Sequence, residues 1–137
     1  ALHQLASATM KLGALVGGSA MVIGREATLG DAAEALVQDG VGSLGVISDR
    51  ALVGIITERD LVRALAAGVD PEVEIVADWM AEAPDTFSPD VEVEEAARWL
   101  LEVGYRHMPV MAEGELLGIV SIRDLLWALL GESAGGA

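Results

Sequence analysis

Cysteine is absent from this chain of 137 residues, and histidine occurs only twice. Without thiols the chain can form neither disulfides nor thiolate metal sites, and the redox compartment is left open. The two histidines do not fall in a metal-ligand spacing such as His-Glu-x-x-His. We therefore expect no metal site and no required cofactor.

Basic side chains are also scarce: eight Lys and Arg stand against 22 Asp and Glu, which gives a formal net charge of −14. Binding to nucleic acid depends on Lys and Arg that neutralise phosphates, and anionic membranes attract the same residues. We therefore expect neither nucleic acid nor a membrane as a partner. A phosphate-bearing ligand would have to be met by a local cluster of these few cations.

Long apolar runs are missing as well. No stretch reaches the roughly 18–20 residues that a membrane-spanning helix needs, although 53% of the residues are hydrophobic and the mean hydropathy is +0.47. Such richness indicates a very complete core or an apolar face buried against a second copy. The segment Leu12–Ile23 resembles the apolar part of a signal peptide. The repeat described below extends through it, so we expect a cytoplasmic protein.

Aromatic residues are few, with three Trp, one Tyr and one Phe. All five lie in the C-terminal part of the chain, at Trp79, Phe87, Trp99, Tyr105 and Trp127. The simplest interpretation is a bulkier core in this part or a contact surface. Because Trp99 and Trp127 fall on two predicted amphipathic helices, we predict a homodimer that forms through these helices.

The strongest positive feature is an internal repeat with an offset of 64 residues. The octet Gly54–Leu61 returns as Gly118–Leu125, and 13 of the 39 ungapped pairs between Ala27–Leu65 and Val91–Leu129 are identical. Such a period means that one supersecondary unit is written twice, which decides the fold before any local detail.

Each copy reads as a β-α-β-β-α unit with a leading helical turn. The leading turns are predicted at Lys11–Val16 and Ile75–Met80, and short extended runs follow at Ala20–Ile23 and Asp85–Ser88. The first helix of each copy carries apolar residues at i, i+3, i+4, i+7 and i+8. These residues are Leu29, Ala32, Ala33, Leu36 and Val37 in one copy and Val93, Ala96, Ala97, Leu100 and Leu101 in the other.

The second half of each copy is predicted to be a hairpin and a helix. Gly40 and Gly104 are placed to end the first helix with a left-handed cap. Two apolar runs then flank Asp49-Arg50 in the first copy and Glu113-Gly114 in the second, which predicts a β-hairpin in each. The last helix is expected to start after Thr57 or Ser121 and to end near Ala67 or Leu130.

We therefore predict an α+β fold of two tandem repeats, at residues 10–67 and 75–131, with a connector at 68–74 and a flexible tail at 132–137. A unit of about 60 residues is marginal by itself. The two copies are thus expected to pack through their sheets with pseudo-twofold symmetry, which would create two equivalent crevices between them.

The candidate binding residues follow the last strand of each copy, as Thr57-x-x-Asp60 and Ser121-x-x-Asp124. A hydroxyl at the N-cap and an acid at the third helical position form a capping box, in which the acid also suits the positive end of the helix dipole. Helix capping alone would explain this pattern without any ligand.

Arg59 and Arg123 argue for more than capping, because a helix cap does not require arginine at this position. Gly54 and Gly118 also allow another group to come close to the backbone. A helix N-terminus with unpaired N–H groups, a hydroxyl and an arginine suits a phosphate. A carboxylate one turn away could accept hydrogen bonds from the two hydroxyls of a ribose. The spacing by itself supports capping and ligand binding about equally.

The doubled pattern resembles a pair of CBS domains, the repeats of cystathionine-β-synthase type that associate as a Bateman module. The likeness is carried by Gly54–Leu61, Gly118–Leu125, Tyr105–Val110 and Thr28–Ala33, and it covers roughly residues 10 to 131. It implies a stand-alone, bacterial-type regulatory module that binds an adenosyl ligand such as AMP, ADP, ATP or S-adenosylmethionine in clefts between the repeats. It also implies signalling by conformational change to an unknown protein partner, without enzymatic activity.

The resemblance assigns roles to individual residues. Asp60 and Asp124 match the ribose-binding aspartate, Thr57 and Ser121 match the hydroxyl on the phosphate side, and Arg59 and Arg123 would neutralise phosphates. Arg106 and His107 match a position that often faces the phosphates, with a solvated arginine beside a half-buried histidine as an equally supported alternative. The adenine base is expected against Met21, Val22, Ser43 and Leu44 in the first copy and against Thr86, Phe87, Met108 and Pro109 in the second.

The first copy departs from the family pattern, since Gly42–Val46 stands where the second copy has Arg106–Val110. Its crevice lacks the Arg, the His and the Pro, so the two crevices are expected to differ in ligand preference, and one could be empty. Two other functions compete with sensing. A structural dimerisation module without bound nucleotide is the main alternative, and an enzyme that acts on a phosphoester through the Asp and Arg residues is the lesser one.

Overall fold

The computed structural model describes residues 10–17 and 20–135, which form a mixed α+β protein. The helices are α1 (Leu29–Asp39), α2 (Glu58–Ala66), α3 (Val93–Val103) and α4 (Ile122–Gly135). The strands are β1 (Val22–Gly24), β2 (Ser43–Ser48), β3 (Ala51–Thr57), β4 (Ala81–Glu82), β5 (His107–Ala112) and β6 (Glu115–Ser121). Single turns of 3-10 helix at Leu12–Ala14 and Val76–Asp78 occupy the two predicted leading turns.

The described residues divide into two compact units. The first unit comprises residues 20–84, and the second unit comprises residues 10–17 and 85–135. Each unit therefore holds the β-α-β-β-α elements of one repeat and the leading turn of the other. The predicted boundaries at residues 10–67 and 75–131 follow the repeat along the chain, whereas the compact units follow its packing.

Matching hydrogen bonds hold the exchanged turns. In the second unit the Leu12 N–H donates to the Val91 carbonyl oxygen at 2.9 Å, and in the first unit the Val76 N–H donates to the Ala27 carbonyl oxygen at 2.8 Å. Leu12 and Val76 are both fully buried in the core of their unit. Because 76 − 12 and 91 − 27 both equal 64, the offset found in the sequence also relates these contacts.

Among the residues that the structure describes, the two sheets share a hairpin but extend it differently. In the first unit β1 pairs in parallel with β2, β2 pairs antiparallel with β3, and β3 pairs antiparallel with β4. In the second unit β5 and β6 pair antiparallel, and the predicted run Asp85–Ser88 contributes a single parallel bridge from Phe87 to Val110. Pro109 accounts for the shorter pairing, because it has no N–H. Its counterpart Gly45 donates an N–H to the Met21 carbonyl oxygen at 3.0 Å.

Both hairpins turn through two residues with positive φ. The φ angles are 49° and 69° at Asp49 and Arg50, and 52° and 80° at Glu113 and Gly114. Two-residue loops of this kind match the right-handed twist of the flanking strands. The predicted hairpins are thus confirmed.

The helices α1 and α3 bury a narrower face than the sequence predicted. Leu29, Ala32 and Leu36 of α1 are buried, and so are their counterparts in α3. Val37 is 82% exposed, however, and Leu101 is 63% exposed. The expectation that these two residues face the core was wrong, because position i+8 is rotated by about 80° from position i at 3.6 residues per turn. Ala33 is exposed as well, whereas Ala97 is buried.

The helices end where expected, with one exception. Gly40 and Gly104 adopt the left-handed conformation at the ends of α1 and α3, and α2 stops at Ala66. The predicted end of the last helix near Leu130 was wrong, since α4 continues to Gly135 and overlaps the tail expected at 132–137. Within residues 10–17 and 20–135, none of the helices combines the length and the apolar character that crossing a bilayer demands.

Each unit has its own apolar core, to which the hairpin contributes paired side chains. Leu44 and Ile56 are cross-strand partners in the first unit, and Met108 and Val120 are the equivalent partners in the second. All four are almost inaccessible to solvent. Ile56 and Val120 are followed by Thr57 and Ser121, the last residues of β3 and β6, and α2 and α4 begin directly after them. The N-terminus of each of these helices therefore lies at the edge of a packed core.

Candidate ligand-binding site

A complete capping box holds the N-terminal turn of α2, which is called the α2 opening from this point on, as the N-terminal turn of α4 is called the α4 opening. Thr57 ends β3 and is the N-cap of α2. Its N–H and its hydroxyl donate to Asp60 Oδ2 at 2.9 and 3.0 Å, and the Asp60 N–H donates to Thr57 Oγ1 at 3.3 Å. These bonds hold the Asp60 carboxylate against the first turn, where the helix dipole favours negative charge.

Arg63 covers the same carboxylate. Its Nη2 lies 3.0 Å from Asp60 Oδ1 and donates to the Trp79 carbonyl oxygen at 3.4 Å. The guanidinium carbon also lies 5.8 Å from the centroid of the Trp79 ring, and the Trp79 indole N–H donates to Glu74 Oε1 at 3.1 Å. The side chain of Asp60 is 15% exposed and that of Arg63 is 56% exposed. The carboxylate that was expected to meet a ribose is therefore ion-paired and largely covered.

The opening of α4 has the same capping box but fewer partners. The Ser121 N–H donates to Asp124 Oδ2 at 3.2 Å, and the Asp124 N–H donates to Ser121 Oγ at 3.0 Å. Asp124 is exposed, and no described Lys or Arg side chain forms an ion pair with it. Trp127 takes the place of Arg63, since 127 − 63 equals 64, and it is 64% exposed.

A third capping box stands at the start of α1. The Thr28 N–H donates to Asp31 Oδ2 at 3.2 Å, and the Asp31 N–H donates to Thr28 Oγ1 at 3.1 Å. This box follows a loop and not the last strand of a hairpin. The capping geometry alone therefore does not identify a binding site. Whether a capping box can bind a ligand depends on the residues around it.

The hairpin of the first repeat brings predicted base-contacting residues to the α2 opening. Ser43 is the cross-strand partner of Thr57, and the Glu58 N–H donates to the Gly42 carbonyl oxygen at 3.0 Å. Ser43 and Leu44 are both buried, so their side chains belong to the core. A ligand at this opening would meet these two residues through their backbone.

Met21 and Val22 reach the same end of the sheet along β1. Val22 pairs with Gly45, and the Met21 carbonyl oxygen accepts the Gly45 N–H. Both side chains are exposed large hydrophobics. Exposed apolar surface of this kind suits the flat face of a base.

The hairpin of the second repeat gathers the equivalent residues at the α4 opening. His107 pairs with Ser121, and the Ile122 N–H donates to the Arg106 carbonyl oxygen at 2.8 Å, as Glu58 does to Gly42 in the first repeat. Met108 and Pro109 are buried and match Leu44 and Gly45.

Thr86 and Phe87, which precede this hairpin, differ in their burial and contacts. Thr86 is exposed, whereas Phe87 is half-buried and donates its N–H to the Pro109 carbonyl oxygen at 2.9 Å. The Phe87 ring packs edge-on against Trp99, with 5.5 Å between the centroids, and Trp99 packs in the same manner against Tyr105 at 5.9 Å. Phe87 is therefore held by an aromatic cluster of the second unit.

Besides Arg63, which is paired with Asp60, three arginines stand at or beside the two openings. Arg59 and Arg123 lie within the first turns of α2 and α4, and Arg106 precedes β5. All three are exposed, and none takes part in an ion pair within the part of the chain that the structure describes. His107 is half-buried. Each opening therefore has two arginines, but one of the two at α2 is already paired with Asp60, whereas neither arginine at α4 has an ion pair among the described residues.

Gly54 and Gly118 serve the packing of the leading segments. A Cβ on Gly54 would lie 2.8 Å from the Ala81 carbonyl oxygen and 2.5 Å from Met80 Sδ, and one on Gly118 would lie 2.8 Å from Val16 Cγ1. The close approach expected from these glycines is thus made by the exchanged leading segments of the chain itself. Neither glycine is evidence for a ligand.

Sequence reasoning did not identify Arg63 as part of the site. The signal was available, since Asp60 and Arg63 have the i, i+3 spacing at which opposite charges meet on a helix surface. Trp79 gave no such signal, because it lies 16 residues from Arg63 along the chain. Its contact with the guanidinium follows from the packing of the leading turn against the first unit.

Comparisons with known proteins place this geometry in a family. The chain is 41% identical over 112 residues to an uncharacterised 17.7 kDa protein of Acidianus ambivalens, with 80% of this chain and 66% of that protein covered. It is 30% identical to the CBS-domain containing protein ATU1752 from Agrobacterium tumefaciens, with a TM-score of 0.77 and coverage of 82% and 91%. It is 29% identical to CBSX2 from Arabidopsis thaliana, whose crystal structure contains AMP, with a TM-score of 0.74 and coverage of 90% and 98%.

The curated relatives are longer than this chain. The chain spans 66% of the length of the Acidianus ambivalens protein and 47% of that of a Methanopyrus kandleri protein to which it is 36% identical over 92 residues. The family of CBS domains matches the chain twice, over residues 18–67 and 76–131. The chain therefore belongs to the CBS domain family and contains two CBS repeats.

Proposed function

We propose that this pair of CBS repeats binds an adenosyl ligand of the AMP, ADP, ATP or S-adenosylmethionine type at the openings of α2 and α4. The observation that carries the proposal is the pair of Thr57–Asp60 and Ser121–Asp124 boxes, each with an arginine before the acid and each beside the first residue of a hairpin strand. The AMP complex of CBSX2, a relative at 29% identity, supports this ligand class.

The phosphate side of such a ligand has suitable groups at both openings. The dipole at the first turn of a helix favours an anion. The N–H groups of Glu58 and Asp60 at α2, and those of Ile122 and Asp124 at α4, already donate within the protein, so the dipole and the arginines are left to attract the phosphate. Arg59 and Arg123 add an exposed guanidinium within that turn. The net charge of −14 is spread over the whole chain, whereas screening limits its reach to about 8 Å at physiological ionic strength. The local arginines therefore outweigh the distant acids.

The ribose side is served by Asp60 and Asp124. An ionised carboxylate only accepts hydrogen bonds, and the two neighbouring hydroxyls of a ribose are donors that match its two oxygens. Because each capping box fixes its aspartate against the helix, the acceptor is already in place when the ligand arrives. Such preorganisation lowers the entropic cost of binding.

The same arrangement favours regulation over catalysis. Both aspartates accept hydrogen bonds from their own helix start, which suits a fixed acceptor better than a group that exchanges protons. A regulatory module acts by a difference in ligand affinity between two conformations, and the partner responds to the shift in population. We propose that this shift passes to an unidentified protein partner.

A thermal-shift panel of AMP, ADP, ATP, S-adenosylmethionine and adenosine tests the proposal. A ligand at about one hundred times its dissociation constant adds about 2.7 kcal/mol to the free energy of unfolding. For a domain of this size, this free energy corresponds to a rise in Tm of several degrees. We expect a rise with at least one of these compounds, and we expect its loss in the double variant Asp60→Ala, Asp124→Ala.

Asp31→Ala is the matched control. It removes one capping interaction of the same kind at α1, so it should lower the Tm of the free protein by less than the double variant does and should keep the ligand-induced rise. If no adenosyl compound raises the Tm, or if the rise survives the loss of both site aspartates, the proposed function is wrong.

A second candidate function is favoured by one separate observation. Leu126, Trp127 and Leu130 of α4 are exposed, and so is Leu101 of α3. An apolar surface of this kind marks an interaction site, so we propose that α3 and α4 form a homodimer interface. The Trp99 ring packs against Phe87 and Tyr105 within its own unit, which leaves Trp127 as the main contact. A structural dimerisation module would have this interface without any nucleotide response.

A further inference from the structure

We propose that Arg63 makes the first repeat the weaker adenosyl site, so that a ligand fills the α4 opening before the α2 opening. This inference rests on the proposed function and adds to it an order of binding. Its main basis is a difference in sequence between the two helix openings. The residue three positions after the aspartate is Arg63 in the first repeat and Trp127 in the second.

The number of hydrogen-bond acceptors explains why this difference matters. An ionised carboxylate offers about four acceptor positions on its two oxygens. Asp60 has three of them occupied, because Oδ2 accepts from the N–H and the hydroxyl of Thr57 and Oδ1 accepts from Arg63. About one position therefore remains, whereas the two hydroxyls of a ribose need two.

Asp124 has room for both hydroxyls. Within the described residues, its carboxylate accepts one hydrogen bond, from the Ser121 N–H. Its side chain is exposed, and the residue one turn further on is Trp127, which carries no charge that could pair with it. A ribose can therefore bind Asp124 without displacing a protein group.

Arg63 is held in place by more than its ion pair. Its guanidinium donates to the Trp79 carbonyl oxygen and lies over the Trp79 ring, and the Trp79 indole donates in turn to Glu74. Contacts of this kind reduce the freedom of an arginine to swing into solvent. A ligand at the α2 opening must break the Arg63–Asp60 ion pair or leave one ribose hydroxyl without an acceptor.

The residues that would contact a phosphate also favour binding at the α4 opening. Arg106 stands beside the α4 opening, and its counterpart at the α2 opening is Gly42. A phosphorylated ligand therefore meets two arginines without an ion pair among the described residues at α4, Arg106 and Arg123. At α2 it meets one such arginine, Arg59, because Arg63 is already paired with Asp60. A ligand without phosphate should still bind more tightly at α4, because the number of free acceptor positions on each aspartate does not depend on the charge of the ligand.

Variants that keep one intact site allow the ligand affinity of each opening to be measured separately. Asp124→Ala leaves the α2 opening intact, and Asp60→Ala leaves the α4 opening intact. Calorimetric titration should show that AMP and adenosine both bind more tightly to the Asp60→Ala protein. When Arg63→Met is added to the Asp124→Ala protein, binding of both ligands should tighten by about two- to fivefold, the range expected for an exposed ion pair. Methionine keeps an aliphatic contact with Trp79 but has no N–H donor.

Two further variants complete the design. Trp127→Arg in the Asp60→Ala protein should weaken binding by a similar factor, because the new arginine can pair with Asp124 as Arg63 does with Asp60. Arg98→Met is the control, since it removes an arginine from another exposed helical ion pair, 2.9 Å from Glu94. It should leave the affinity of both single-site proteins unchanged.

Tryptophan fluorescence can follow ligand binding at each opening without substitution of either aspartate. Trp79 contacts Arg63, and Trp127 lies one turn after Asp124. In proteins that retain one of these two tryptophans, with phenylalanine at the other position and at Trp99, the Trp127 signal should change at a lower AMP concentration than the Trp79 signal.

The outcomes separate the order of binding from the function itself. Equal affinity of the two single-site proteins would overturn the order, and so would weaker AMP binding after Arg63→Met, which would make Arg63 a phosphate ligand. In both cases the proposed function would stand. If none of AMP, ADP, ATP, S-adenosylmethionine and adenosine binds to the unsubstituted protein, the proposed function itself fails.

Discussion

The two repeats place the same local motif in different surroundings. At the α2 opening, the Asp60 carboxylate is paired with Arg63 and largely covered, and at the α4 opening Asp124 is exposed beside Trp127. The backbone is equivalent in both, down to the hydrogen bond that ties the second helical opening to the start of its hairpin. Duplication has therefore preserved the framework, while Arg63 and the Thr57 hydroxyl leave the Asp60 carboxylate less available than that of Asp124.

The leading segments show a second contrast between the repeats. A Cβ on Gly54 would meet the Ala81 carbonyl oxygen as well as the Met80 side chain, whereas a Cβ on Gly118 would meet mainly the side chain of Val16. A side chain can move aside more easily than a hydrogen-bonded strand. The first unit should accordingly tolerate less change at this contact than the second.

The largest expected effect tests this contrast. Gly54→Ala should lower the free energy of unfolding by about 3 kcal/mol, at the upper end of the range for overpacking, because β4 would have to shift. Gly118→Ala should cost about 1–2 kcal/mol by the same mechanism. Urea denaturation followed by circular dichroism gives both values.

Gly24→Ala is the control for these substitutions. No atom lies within 4 Å of a Cβ at this position, so alanine should change the stability by a few tenths of a kcal/mol. Equal costs at Gly54 and Gly118 would remove the contrast between the two leading segments.

The next effect is a loss of dimer affinity when the exposed Trp127 of the second unit is removed. If α3 and α4 form the homodimer interface, Trp127→Ala should weaken dimerisation by about 2 kcal/mol, or roughly thirtyfold, as for a central aromatic contact. Arg63→Ala, at the equivalent place in the first unit, should leave the dimer unchanged. Sedimentation equilibrium measures both, and an unaffected dimer in the Trp127 variant would place the interface elsewhere.

A smaller effect compares the two capping boxes. Ser121→Ala should cost about 1 kcal/mol of unfolding free energy, the usual value for an N-cap. Thr57→Ala should cost more, because the Thr57 hydroxyl also donates to the carboxylate that Arg63 pairs with. Thr57→Ser and Ser121→Thr retain the hydroxyl and should remain close to the parent protein. Chemical denaturation would contradict the contrast if Ser121→Ala proved the costlier change.

The smallest effect compares the hairpin turns. Arg50 has a φ of 69° where the second repeat has Gly114, and a left-handed conformation costs a residue with a side chain about 1–2 kcal/mol. Since glycine also loses more conformational entropy on folding, Arg50→Gly should stabilise the protein by about 0.5–1 kcal/mol. Gly114→Arg should destabilise it by a similar amount. Melting curves that move in the opposite directions would show that the turns are not strained by their side chains.

Most elements could be predicted because their signals are local and occur twice. The hairpins, the glycine caps and the positions of the leading turns follow from spacing within about a dozen residues. The two-residue strand β4 was not predicted, because so short a segment has no periodicity and forms by pairing with β3. The helical extension to Gly135 was missed because glycine and serine near a helix end are common stop signals.

The candidate site was predicted in part for the same reason. The capping boxes span three residues, so their geometry could be anticipated. The burial of Leu44, Met108 and Pro109 could not, because it depends on how each hairpin packs under its helices. Their assignment as base contacts, like that of the other site residues, stays a prediction that ligand binding has to test.

The sequence alone determined that this protein consists of two copies of one unit, where the elements of each copy lie, and that an aspartate caps each second helix. These features depend on contacts between residues close along the chain, which spacing reveals. Tertiary structure decided that the leading turns are exchanged between units and that Trp79 packs against Arg63 beside Asp60. Such contacts join distant parts of the chain, and they form because each unit must bury an apolar surface that its own repeat leaves uncovered.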